Sequence, residues 1–289
     1  MPDVAQHLAL SQKLQYDDLD WDLARAHGIS ATEADCLQYF ADIESQTVFY
    51  MLEVAKLEVA RDPELLAFLT IWNYEEFFHA QALTRFLTEV GVVAPDAAAR
   101  SHDVRRAAQL RATVEDWVQV TLARALPRTF VALWQCWGAA AELLTTQAYE
   151  QIMRTTANPV LRELCRRIAR QERRHFAWYL EASRERLAGE RFAQRVVRKV
   201  FELNWTPVGS GVKSPAQVAA QIARIFPGER IYEVLGTIDR RMGTLPGMAG
   251  FDVCGRYADR IQALLPVEAR VVRRAGVDYG ADADGEVAA

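Results

Sequence analysis

Two Glu-x-x-His steps are the residues of this chain best suited to chemistry. One runs from Glu76 to His79 in WNYEEFFHAQAL, residues 72–83, and the other from Glu172 to His175 in RQERRHFAWYL. Residues three apart share one face of a helix, so each step aims a carboxylate and an imidazole the same way. Five His occur in the chain: His7, His27, His79, His102 and His175. Two of them carrying Glu at the third preceding position is a coincidence of roughly one in twenty. Two such steps on two helices supply four of the six donors of a set that holds a pair of metal ions by carboxylates.

The elements that must position these residues read as helices throughout. Ser30 and Glu33 form a capping box, and an apolar face with Leu37, Phe40, Ile43, Val48, Met51 and Val54 predicts a helix to about Arg61. Asp62-Pro63 stops it and starts a second helix, which ends at Gly91. A connecting helix is expected over 101–125, a fourth over 128–156, and after the restart at Asn158-Pro159 a fifth to about Leu187. Shorter helices follow at 190–203, 215–226, 229–242 and 248–265. No alternating strand pattern of any length occurs. The expectation is all-α: four long helices in two hairpins, one connecting helix and a C-terminal cap of short helices. The chain divides into a lead-in (1–29) with one short helix and an acidic turn at 17–22, one domain (30–275) and a small acidic tail (276–289) expected to be disordered. Within the domain the core spans 30–187 and the cap 188–275.

Counting levels from each hairpin turn selects the remaining carboxylates. At about 1.5 Å per residue, Glu44 lies roughly 4–5 Å off the level of Glu76, whereas Glu53 and Glu58 are about 9 and 16 Å away. In the second hairpin Glu142 is about 1.5 Å off the level of Glu172, and Glu150 about 10 Å. Glu142 also sits in an apolar run after Ala139, Ala140 and Ala141, where an unpaired carboxylate is costly. The predicted metal ligands are therefore Glu44, Glu76, His79, Glu142, Glu172 and His175. A donor set of oxygen and imidazole suits two iron ions, with manganese as an alternative in one position, and disfavours zinc.

The whole chain sets outer bounds. Its 34 basic and 38 acidic residues give a net charge of −4, which is no signature for nucleic acid. From Arg154 to Lys199, however, thirteen basic residues face five acidic ones, leaving the rest of the chain acidic. The four Cys have no C-x-x-C spacing and read as reduced thiols of a cytoplasmic protein. Neither a signal peptide nor a membrane span is expected.

At the ligand positions the sequence resembles the soluble acyl-carrier-protein desaturases of the ferritin-like di-iron superfamily. Trp72, Glu75, Glu76 and His79 match the family's W-x-x-E-E-x-x-H motif. Glu172, Arg174, His175 and Tyr179 match its E-x-R-H motif with the following Tyr. The other two ligands map onto Glu44 and Glu142. A Thr implicated in oxygen handling maps onto Thr145, with Thr146 beside it. The likeness spans about 30–187, and Gln171 departs from it, standing where plant-type enzymes carry Asp. Related families differ at single positions. The radical-bearing subunit of ribonucleotide reductase has Tyr where this chain has Leu83, and arylamine N-oxygenases have a further ligand His where it has Ile168.

The resemblance implies a ferritin-like four-helix bundle acting as an oxygen-dependent di-iron oxidase. The implied reaction desaturates an acyl chain on acyl carrier protein, with a ferredoxin-type electron donor and a homodimeric assembly. Hydroxylation or N-oxygenation of a small molecule is the alternative, and iron binding without catalysis is a third reading. Phe40, Phe77, Phe78, Ala141 and Leu144 are candidates to line a substrate channel. Arg162, Arg166, Arg170, Arg173 and Arg174 form either a docking face for an acidic carrier or a solvated helix face.

Overall fold

The computed structural model describes residues 4–55, 62–92, 123, 125–210, 212–273, 277 and 279. Among these residues there is no strand, and the fold is all-α. The elements are α1 (Val4–Leu10), α2 (Trp21–His27), α3 (Ala31–Glu44), α4 (Thr47–Ala55), α5 (Pro63–Glu89), α6 (Pro127–Thr155), α7 (Pro159–Leu187), α8 (Arg191–Asn204), α9 (Pro215–Ile225), α10 (Arg230–Gly243) and α11 (Val253–Leu264), followed by a short 3₁₀ turn at Val267–Ala269. The connecting helix expected at 101–125 lies outside the described residues except at its C-terminal end.

Helix boundaries fall where side chains satisfy the free amides of the first turn. Ser30 Oγ accepts from Glu33 N, and Glu33 returns the bond to Ser30 N at 2.8 Å. Asp62 Oδ1 accepts from Glu64 N and Leu65 N ahead of α5. Asn158 Oδ1 does the same for Val160 N and Leu161 N ahead of α7, while its amide group donates to Ala24 O and Gly28 O, each at 3.0 Å. The turn between α6 and α7 is thereby tied to the end of α2. Gly91 and Gly189 adopt φ of +77° and +76°, the left-handed geometry that ends helices without Cβ strain.

One boundary departs from expectation. The helix predicted from Ser30 to about Arg61 is broken at Ser45–Gln46, directly after Glu44. Ser45 Oγ donates to Asp42 O and Thr47 Oγ1 to Glu44 O, both at 2.8 Å, and Gln46 N turns back to Ile43 O. Hydroxyl groups that take up carbonyls in this way compete with the helical ladder, and the chain tightens into a turn before α4 restarts it.

Packing places four helices around one interior. α6 and α7 contact each other along their length, α3 packs on α5, and α5 meets α7. α2 sits against α5 and α7, and α1 against α5. α8 and α10 cover α6, and α9 wedges between α3, α6 and α11. Aromatic rings fill one end of the interior: Phe68 stacks on Trp178 with ring centroids 3.5 Å apart, and Tyr179 meets Phe68 edge-on at 4.9 Å. Gly138 on α6 admits this ring, since a Cβ there would lie 2.6 Å from the Tyr179 ring. Tyr279 is buried against Tyr232, and the other residues of the expected disordered tail, apart from Val277, lie outside the described set. Among the described residues no helix is long and apolar enough to cross a membrane. All four Cys are free and buried.

Candidate metal centre

The six predicted ligands converge. Glu44 ends α3, Glu76 and His79 lie in mid-α5, Glu142 in mid-α6, and Glu172 and His175 in mid-α7, all with 7% or less of their surface exposed. They form two overlapping groups, each able to hold a metal ion: Glu44, Glu76, His79 and Glu172, and Glu76, Glu142, Glu172 and His175. In each group one ligand atom per residue lies within 4.8 Å of the others. Glu76 and Glu172 belong to both and occupy the place of bridging carboxylates.

The geometry inside the cluster is that of ligands aimed at common points rather than at one another. His79 Nδ1 lies 3.1 Å from Glu172 Oε1 and 3.4 Å from Glu76 Oε2. Yet His79 Nδ1, Glu76 Oε1 and Glu172 Oε1 are buried without a hydrogen-bond partner. His175 Nδ1 is 3.1 Å from Glu76 Oε1, 3.3 Å from Glu172 Oε2 and 3.7 Å from Glu142 Oε2. Unsatisfied buried atoms cost about 1–3 kcal/mol each, more when charged, and a cation at each focus would satisfy them. The residues present fit metal ions on this ground.

A surrounding layer of hydrogen bonds holds each ligand. Trp72 Nε1 donates to Glu142 Oε1 at 2.9 Å, and Tyr149 OH donates to Glu44 Oε1 at 2.9 Å. His79 Nε2 pairs with Gln171 Oε1 at 2.8 Å, and His175 Nε2 with Glu75 Oε2 at 2.8 Å. Because an amide oxygen only accepts, Nε2 of His79 carries a proton, which leaves Nδ1 as the nitrogen that would face a cation. Arg174 donates to Glu75 Oε1 at 2.8 Å, and Gln12 N donates to the same oxygen at 3.2 Å. Besides accepting from the imidazole, Gln171 donates through groups that a carboxylate lacks: its Nε2 reaches Gln12 O at 2.8 Å and Glu75 Oε1 at 3.3 Å.

Charge in the cluster is balanced by protons when no cation is bound. Burial pushes Glu44 up, and Glu76 beside it adds to the effect. Burial likewise pushes Glu142 up, reinforced by Glu172. Burial opposes ionisation of Glu76 too, but its hydrogen bond with Glu44 and the charge of His79 hold it well below the usual range. Glu172 is held down against burial and the charge of Glu76 by its bonds to His175 and His79. Burial alone would lower the imidazoles. Glu76 and Glu172 instead lift His79 to about 10, and the four surrounding Glu lift His175 well above its ordinary value. Within one cluster the shifts thus run both ways, with Glu44, Glu142 and both imidazoles pushed up and Glu76 and Glu172 held down. Two divalent cations would convert this set to four carboxylates and two neutral imidazoles.

No protein-family model, curated protein or solved structure matches this chain. The site is therefore described by its own residues. Leu83 and Ile168 are fully buried apolar positions, so neither adds a Tyr or a further ligand to the centre. Thr145 and Thr146 are both buried one turn past Glu142, and Thr146 Oγ1 has no hydrogen-bond partner.

Other candidates are placed differently from expectation. Phe77 is 53% exposed and lines no interior channel, whereas Phe78, which meets Tyr74 and Phe77 edge-on beneath Lys13, is half-buried against the core. Phe40 and Leu144 do line an apolar pocket, with Tyr39, Ala148, Val208, Ile222, Ile225 and Phe226, and its free space of about 10 Å³ holds at most one water. The Arg residues of α7 are largely engaged within the protein. Arg162 donates to Thr156 O, Arg166 to Glu163 and Arg173 to Glu150, and Arg174 points inward to Glu75. Arg170 is exposed.

The acidic turn at 17–22 is likewise put to use. Asp18 pairs with Arg167 through two bonds of 2.6 and 2.9 Å, and Asp20 caps α2. Tyr149, Gln12 and His7 are site residues that motif reading did not single out. Tyr149 was within reach of it, standing two helical turns past Glu142 on the same face.

Proposed function

We propose that this chain is a ferritin-like di-iron oxidase that desaturates an acyl chain carried by acyl carrier protein, using dioxygen and electrons from a ferredoxin-type donor. The observation that carries the oxidase reading is the cluster of six buried donors from four helices, two of them shared between both metal-binding groups. When bound, a pair of irons supplies two-electron activation of dioxygen. Glu44, Glu76, His79 and Glu172 would hold one ion, and Glu76, Glu142, Glu172 and His175 the other.

Around that centre the chain's own groups set orientation and exclude water. Trp72 and Tyr149 fix the terminal carboxylates Glu142 and Glu44. Glu75 and Gln171 fix the two imidazoles. The buried hydroxyls of Thr145 and Thr146 offer a proton beside Glu142, and the unpartnered oxygen of Thr146 makes it an equal candidate to Thr145. The apolar pocket beside Phe40 and Leu144 supplies the kind of lining a methylene chain would need, although its free space of about 10 Å³ is far smaller than such a chain. A homodimer and a cytoplasmic location follow from the same resemblance.

Hydroxylation or N-oxygenation of a small molecule is the second reading. It is favoured by the pairing of Arg166, Arg173 and Arg174 with carboxylates of the same chain, which leaves Arg162 and Arg170 as the unneutralised members of the predicted docking face. Metal content and Mössbauer spectra of the purified protein test the centre, with about two irons per chain expected. A product screen with carrier-bound acyl chains then tests the reaction. Desaturated product lost in a folded Glu142→Ala variant supports the first reading. Turnover indifferent to carrier protein supports the second. Iron bound with no dioxygen consumption under reducing conditions leaves neither, and supports iron binding without catalysis.

A further inference from the structure

Behind the inner cluster lies a second, smaller one. His7 on α1, Glu75 on α5 and His175 on α7 each place a ligand atom within 4.8 Å of the others. His7 is 8% exposed, and its Nε2 is buried with no hydrogen-bond partner. Its ring packs on Phe68 at 5.3 Å and lies 6.2 Å from the His175 ring. Glu75 Oε1 is taken up by Arg174, Gln12 N and Gln171, while Oε2 faces His175 Nε2 at 2.8 Å. His175 thus presents two faces, Nδ1 toward the inner carboxylates and Nε2 toward this outer group.

We propose that His7 Nε2, Glu75 Oε2 and His175 Nε2 form a transit site through which a divalent metal ion reaches the inner centre. The proposal rests on the reading of the inner cluster as a metal centre. Three features support it. The inner ligands are closed off by the helices, so an ion needs donors along its way in. Two imidazoles and one carboxylate suit iron, manganese, cobalt or zinc. The charge of Glu75 is already offset by Arg174, so the outer group holds an ion weakly and the four inner carboxylates draw it onward. Outer and inner occupancy alternate at His175, because binding through both nitrogens at once would require an imidazolate. With an ion outside, the His175 proton sits on Nδ1 and faces Glu76 and Glu172. With an ion inside, it sits on Nε2 and is donated to Glu75.

Stopped-flow mixing of the full-length apoprotein with Co²⁺ tests this, with visible absorption following uptake and equilibrium dialysis giving final content. His7→Phe removes the nitrogen and keeps a ring against Phe68, and His7→Gln retains a weak donor. Both variants are expected to reach the wild-type Co²⁺ content. The Phe variant should load about tenfold more slowly and the Gln variant at an intermediate rate, in line with the effect of losing one metal-supporting partner. In Glu172→Gln, which damages both inner positions, a weak outer ion that disappears on adding His7→Phe supports the site directly. Wild-type loading rates in both folded His7 variants overturn the transit site and leave the inner centre standing, as does faster loading in the Phe variant, which would make His7 a plug. A wild-type protein that takes up no Co²⁺ overturns both.

Discussion

Gln171 offers the sharpest test of how the ligands are held. Its Oε1 accepts from His79 Nε2 at 2.8 Å in a site with no exposed surface on the imidazole. Replacing it with Leu keeps the side chain's bulk and removes that acceptor, freeing His79 to rotate or to move its proton onto the nitrogen that should bind metal. Loss of such a supporting partner lowers metal affinity about 10- to 100-fold, or about 1.4–2.7 kcal/mol. The effect should fall on the position built from Glu44 and His79 and spare the one built from Glu142 and His175. Co²⁺ titration against a competing chelator, with circular dichroism to verify the fold, should resolve one weakened and one unchanged ion. Two unchanged affinities in a folded Gln171→Leu protein would refute the claim that Gln171 orients His79. Gln171→Glu supplies the complementary case. A carboxylate can still accept from His79, but it cannot donate to Gln12 O or Glu75 Oε1 and sets a second negative charge beside Glu75. It should retain most metal affinity while lowering Tm.

Loading the protein with divalent ions should release protons, because Glu44, Glu142, His79 and His175 are all pushed up and a bound cation would favour their deprotonated forms. A pH-indicator titration reads this directly, and affinity should rise with pH across the neutral range. Asp239, pushed up to about 6 by burial despite its bonds from Cys254 N and Gly255 N, binds its proton more tightly folded than unfolded. Its contribution to stability therefore declines as pH rises from about 4 to about 6, and urea unfolding of Asp239→Asn should show that part of the profile flattened. Gly138→Ala should lower stability by about 1–3 kcal/mol, since the added methyl falls on the Tyr179 ring, and a thermal melt measures it.

Much of the site was legible because helical spacing is a rigid ruler. The Glu-x-x-His steps fixed which faces of two helices mattered, and level counting from Asp62 and Asn158 selected Glu44 and Glu142 over their neighbours. Capping residues marked the helix starts because an unpaired amide must find an oxygen. The break at Ser45–Gln46 was not legible: Val48, Met51 and Val54 continue the apolar face of α3, while the interruption comes from hydroxyls of Ser45 and Thr47 taking local carbonyls. Contacts that depend on tertiary approach were hidden for the same reason. Nothing in the spacing of Gln12 or His7 links them to Glu75, and nothing in the α7 arginines distinguishes those turned toward Glu75 and Glu150 from one facing water. Phe77 was misplaced because a run of aromatic residues covers every face of its helix and does not reveal which one is outward.

Five of the six ligands are clasped by helical turns above and below, so each moves only as its whole helix moves. Glu44 is the exception, being the last residue of α3, with a hydroxyl-stabilised corner on its far side. A cluster whose ion-to-ion spacing or charge varies through a working cycle needs one compliant member. Were ions bound, the ligand best placed to adjust would be this one carboxylate at a helix end, held by Tyr149 through a single hydrogen bond.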